Sequence, residues 1–75
     1  MKEKCFAYKN KKTQEWLRLY PSWNYVFDIY DYFDRSVIYS ARNLIEEDFY
    51  RAKLEDREDW QLMEVEIEYN FTVAK

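Results

Sequence analysis

Seventy-five residues with a net charge of −3, one cysteine and no histidine or glycine describe a single small domain, 1–75. A chain this short buries only about 60–65% of the surface its unfolded form exposes, and it can add neither an intrachain disulfide nor a Cys/His zinc site. Without histidine as a neutral-pH base, or glycine for a phosphate loop or nucleophile elbow, the composition argues against an enzyme, and no cofactor or metal is expected.

Aromatic burial is the remaining resource. The chain holds three Trp, eight Tyr and five Phe, and large rings bury much area each. The surplus of tyrosine suits a contact surface. Charge is unevenly spread: residues 1–25 carry six Lys or Arg and two acids, residues 26–75 six and thirteen. Such asymmetry steers association with charged partners. No apolar run of seven or more follows Lys2 and Lys4, and nothing approaches a membrane span of about 20 residues. With the lone Cys5, this predicts a cytoplasmic protein with no membrane partner.

The N-terminal third reads as a hairpin. KCFAYKN is a short strand, NKKTQ a polar turn and EWLRLY the return strand, broken at Pro21. Without glycine, a left-handed turn position falls to Asn10 or a similar residue. A third strand is predicted at about 24–30, then a turn at Asp31–Arg35 and a short fourth strand in SVIYS, 36–40. Asn43 with Glu46 resembles a capping box, and the acids 46–48 suit a first helical turn. Ile45, Phe49 and Ala52, with Leu44 alongside, form an apolar stripe. These place a helix at about 43–58, with no glycine to mark its end. Met63 to Val73, MEVEIEYNFTV, alternates apolar and polar residues. It reads as a strand with one buried face, pressed on the helix, and one wet face. Its length predicts a central position, because long edge strands invite pairing with other chains. The predicted fold class is α+β: a small antiparallel or mixed sheet of four to five strands with one helix packed on one face, in the order β-β-β-(β)-α-β.

Several clusters are candidate sites. Asp28, Asp31 and Asp34 recur at every third position, but they lack the spacing and glycine of a calcium loop and read as solvated strand and turn acids. Glu64, Glu66 and Glu68 stand about 6.5–7 Å apart along one strand face, near the phosphate spacing of a nucleic-acid strand. Such a row can engage the cations of a nucleic-acid channel. As an ordinary wet face it would instead pair with Lys9 and Arg18 on neighbouring strands. Glu55, Asp56, Glu58 and Asp59 surround Arg57 near the predicted helix end, where negative charge is unfavourable. Either the helix stops earlier or the cluster serves a partner. Tyr30, Tyr32 and Tyr50 lie beside acids and off the apolar stripes, which makes them candidates for exposure. The predicted partner-binding set is therefore Glu64, Glu66, Glu68, Asp31, Asp34, Tyr30, Tyr32, Tyr50, Asp56 and Asp59. Lys9, Lys11 and Lys12 beside Tyr8 and Trp16 form a basic hairpin suited to single strands, although overall acidity opposes direct nucleic-acid binding.

The segments YKNKKTQEWL, a helix after IYSARN and a terminal EVEIEY strand resemble small uncharacterised proteins encoded by phages and prophages of low-GC Gram-positive bacteria. Where such turns carry glycine after Lys-Thr, this chain has Gln14. The resemblance implies an accessory protein acting in the host cytoplasm, similar in size and acidity to anti-CRISPR and other anti-defence inhibitors. Together these features predict a non-enzymatic protein-binding module, an inhibitor or adaptor docking an acidic, Tyr-bearing face on a basic host protein such as a defence nuclease. The alternatives are a homo-oligomeric structural module, at its simplest a homodimer, and a nucleic-acid binder using the Lys9–Lys12 hairpin.

Overall fold

The computed structural model describes residues 2–20 and 26–68. Trp23, residues 24–25 of the predicted third strand and residues 69–73 of the predicted last strand lie outside them. The fold is α+β: a four-stranded antiparallel sheet with one helix. Strands β1 (Lys2–Asn10), β2 (Trp16–Leu19), β3 (Phe27–Tyr30) and β4 (Trp60–Glu68) are joined through helix α1 (Arg42–Arg51), between β3 and β4. The sheet order is β3-β2-β1-β4.

β1 is central because both of its faces are apolar. Cys5, Ala7 and Tyr8 are buried and Phe6 is half-buried, so consecutive positions need cover on opposite sides. Tyr8 stacks on Phe49 of α1, with ring centroids 3.9 Å apart. The helix therefore covers the Phe6 and Tyr8 face, where Tyr8, Leu17, Leu19, Ile45, Ala52, Leu54 and Trp60 form the core. The other face carries Cys5, Ala7, Lys9 and Trp16. Phe33 meets Trp16 edge-on at 5.0 Å there, and the chain after β3 returns over this face.

The β1–β2 turn solves the absence of glycine in its own way. Asn10 stays extended in β1, opposite Trp60, and its buried side-chain oxygen accepts from the N–H groups of Lys12 and Thr13. Gln14, rather than Asn10, takes the left-handed position, with φ 66°. That conformation costs about 1–2 kcal/mol for a residue with a Cβ, offset in part by a bond from the Gln14 amide to the Lys11 carbonyl.

β2 pairs with β1 at two positions only, Tyr8 with Leu17 and Lys9 with Trp16. Beyond them Tyr39 takes the place beside β1, exchanging two backbone bonds of 2.8 Å with Phe6. The strand predicted at 36–40 is reduced to this single bridge. Arg35–Val37 form a 3₁₀ turn instead, because Asp34 accepts from Ser36 N–H at 2.8 Å and caps it. Val37, the last residue of that turn, is fully buried.

α1 is shorter than predicted and starts earlier. Its N-cap is Ala41, with no side-chain bond, so the Asn43–Glu46 capping box does not form. Glu46 pairs with Arg42 at 3.4 Å, and the acids 46–48 fall past the first turn. The apolar stripe holds at Ile45, Phe49 and Ala52, while Leu44 is half exposed. The helix ends at Arg51 because Arg57 caps it. One guanidinium nitrogen donates to the Phe49 carbonyl and the other to Tyr50, each at 2.8 Å, and the second also reaches the Ala52 carbonyl. A charged donor shared by three carbonyls at the helix end, with Ala52 N–H also bonding Phe49 and Leu54 N–H bonding Ala52, replaces the usual glycine cap.

β4 alternates as predicted, with Met63, Val65 and Ile67 half-buried and Glu64, Glu66 and Glu68 exposed. Two expectations about it are corrected. Among the described residues it is an edge strand, because the equally long β1 has two apolar faces and takes the centre. Its odd-numbered apolar residues also face away from the helix. Leu62 is opposite Tyr8 and Glu64 opposite Phe6, so the glutamates share the face that α1 covers. Ten helical residues span about 15 Å, and of β4's residues the core takes in Trp60 and, at its margin, Leu62.

Candidate functional site

The predicted site residues fall into three separate patches. The first is the outer edge of β4, which has no partner strand among the described residues. Lys4 lies opposite Glu66 and Lys2 opposite Glu68, and Lys4 Nζ reaches Glu64 diagonally at 3.5 Å. The cations facing the ladder are therefore Lys2 and Lys4, not Lys9 and Arg18. Both side chains of the Lys4–Glu64 pair are more than half exposed, so water screens it strongly. β1 sets two lysines against three glutamates and leaves the row negative.

The second patch is at the opposite edge, on β3 and the bend after it. Tyr30 shares the sheet face of Trp16, away from α1, and stacks on Tyr32 at 5.2 Å. Arg18 donates to the Tyr30 hydroxyl at 2.7 Å and lies over the Tyr20 ring at 4.7 Å. Tyr20 donates its hydroxyl proton to Asp28, which raises the Tyr20 phenol above its ordinary pKa. Asp34 spends its carboxylate on Ser36, whose backbone bond holds that carboxyl below the usual range. Asp31 and Tyr32 are exposed at the bend. Asp28, Asp31 and Asp34 thus go to three different environments, and among the described residues no group of three His, Cys, Asp or Glu is placed to hold a metal ion.

The third patch surrounds the helix end. Tyr50 is 82% exposed, with the Arg57 guanidinium 5.8 Å from its ring centre. Asp56 accepts from the Trp60 indole at 3.1 Å, and Asp59 pairs with Lys12 at 3.4 Å. These two acids fasten the loop after α1 to the start of β4 and to the β1–β2 turn. The sheet order separates the first two patches by three inter-strand steps, about 14 Å, and puts them on opposite faces. The acids and tyrosines predicted to share one surface do not meet on one.

The basic hairpin is partly neutralised. Lys12 is paired with Asp59, and Lys9 Nζ rests 5.1 Å from the Trp16 ring centre. Cys5 is buried, and burial pushes its thiol up, with Glu3 adding to the rise and Arg35 opposing it. It is a protonated strand residue at neutral pH, not a thiolate.

Sequence reasoning missed two arrangements. Arg57 was visible as a single cation among four acids, and its capping role is the reason that cluster tolerates a helix C-terminus. Tyr39 carried no such signal. Its hydroxyl donates to Asp48 at 2.6 Å, and burial first, then that bond, push its phenol well above the ordinary range. An open pocket of about 390 Å³ lies where β2 leaves β1, lined by Arg18, Tyr20, Ser36 and Tyr39 among others.

The fold and the long acidic edge define a small α+β domain in which β4, among the described residues, pairs on one side only. No protein-family model matches the chain, no curated protein matches it and no solved structure matches it. No helix is long and apolar enough to cross a membrane among the described residues.

Proposed function

We propose that this chain is a non-enzymatic protein-binding module that docks a basic partner on the glutamate row of β4, as an inhibitor or adaptor of the phage type working in the host cytoplasm. One observation carries the reading. A nine-residue strand lies at the sheet edge with three exposed glutamates at alternate positions, and its neighbour sets only two lysines against them. The spacing of about 7 Å suits the cations of a nucleic-acid channel, which makes a nucleic-acid-binding host protein such as a defence nuclease the natural partner class. The Lys9–Lys12 hairpin supports nucleic-acid binding less well, because Lys12 is already paired.

The test is binding to a purified basic nuclease of a bacterial host, by calorimetry. Affinity should fall with salt and drop about tenfold when Glu64, Glu66 and Glu68 become Gln together, as expected for three screened charge pairs. Unchanged affinity in that variant would overturn the reading.

A further inference from the structure

We infer that the partner binds by adding a strand to the free edge of β4, and that this strand carries Lys or Arg at alternate positions with apolar residues between them. The inference rests on the reading of β4 as the docking edge and specifies how the partner is gripped.

The backbone directions on β4 follow from the split beside β1. The N–H and C=O of Phe6 both bond to Tyr39, so they point away from β4. Phe6 and Glu64 are direct partners, and are therefore a pair of the non-hydrogen-bonded type. In an antiparallel ladder these types alternate. Met63, Val65 and Ile67 bond to β1, while Leu62, Glu64 and Glu66 turn their N–H and C=O groups to the open side. The residues that offer the backbone are also those whose side chains line the glutamate face.

An incoming residue hydrogen-bonded to Glu64 or Glu66 places its side chain beside that carboxylate, about 5 Å away between Cβ atoms. The existing neighbour shows the chemistry that fits. β1 sets Lys4 opposite Glu66 and Lys2 opposite Glu68, with Lys4 also reaching Glu64 at 3.5 Å. A second basic strand on the open side would complete the neutralisation. Its intervening residues would lie on the other face, extending the half-buried row of Met63, Val65 and Ile67.

A second copy of this chain does not fit on the glutamate stretch through its own glutamates. Antiparallel pairing across a two-fold axis normal to the sheet keeps each face on its own side. Every register that joins residues 64–68 of one copy to 64–68 of another sets glutamate directly against glutamate, which is destabilising. The glutamate stretch of the edge is closed to itself and open to the opposite charge.

The probe is a fluorescent peptide of sequence Lys-Val-Lys-Val-Lys-Val-Lys, read by anisotropy against the full chain. The peptide should bind. N-methylation of its lysine amides should weaken binding at least tenfold, while N-methylation of the valine amides should not, because only the lysine amides face β4. On binding, the amides of Leu62, Glu64 and Glu66 should gain protection from hydrogen exchange. Equal loss from both methylations, or protection confined elsewhere, would overturn strand addition while leaving charge-driven docking in place. Full binding by the Glu64→Gln, Glu66→Gln, Glu68→Gln variant, its fold checked by circular dichroism, would overturn both. No binding by the unmodified peptide, or a dimer in which these three amides are already protected, would also overturn the inference.

Discussion

The two sides of β1 are built differently. Toward β4 the ladder runs through nine consecutive pairs, from Lys2 with Glu68 to Asn10 with Trp60. Toward β2 it lasts two pairs and then opens, and Tyr39 fills the gap. The continuous side ends at β4, which has no second partner strand among the described residues. The broken side lets the chain pass from the Trp16 face of the sheet, where Phe33 lies, to the other face, where Ile45 is buried. A small domain without glycine covers both faces of its central strand in this way, at the cost of leaving β4 outside. The two outer edges differ too. β3 is protected by being four residues long, β4 by its charge.

The largest expected effect comes from the cap that places β4. Arg57→Ala leaves the Phe49, Tyr50 and Ala52 carbonyls without their charged donor. A loss of about 2 kcal/mol in urea unfolding is expected, after allowance for partial exposure. A change under about 0.5 kcal/mol would mean that water serves these carbonyls equally well.

Tyr39→Phe tests the broken side. At neutral pH it removes the bond to Asp48 and should cost about 1 kcal/mol. It should also alter alkaline behaviour. The Tyr39 and Tyr8 phenols are raised in the folded chain, mainly by burial. Below about pH 10 both are neutral folded or unfolded, and their contribution is constant. Above it the unfolded chain ionises first, so stability falls as pH rises. The variant should show a shallower decline between pH 10 and 11.5 by thermal melts. An identical slope would mean that Tyr39 does not titrate differently in the two states.

The smallest effect belongs to the continuous side. Lys4→Ala removes an exposed pair with Glu64 and should cost no more than about 0.5 kcal/mol. It should also strengthen binding of the lysine peptide, because it leaves the glutamates less neutralised. Weaker binding would show that Lys4 holds the row in position for a partner.

Much of this molecule can be read from local pattern. Alternation from Met63 onward identifies a strand with a wet glutamate row, and the spacing of Ile45, Phe49 and Ala52 identifies the helical face. The Asn10–Gln14 run identifies a turn that must do without glycine. Each follows from side-chain periodicity or backbone sterics, which act over a few residues. The remaining features depended on distant neighbours. SVIYS has the composition of a strand, but Asp34 caps a 3₁₀ turn there and only Tyr39 reaches β1. The acids around Arg57 look misplaced until the guanidinium is seen on the helix end.

The candidate site shows the same division. The sequence by itself determined that Glu64, Glu66 and Glu68 share one side of an extended segment. Only the tertiary structure decided that this segment is the sheet edge, that the row lies on the helix-covered face, and that the tyrosines and aspartates of the β3 bend are elsewhere. Alternation is a property of one strand. Strand order is set by which strand has two faces to cover, and that depends on what the rest of the chain brings to each face.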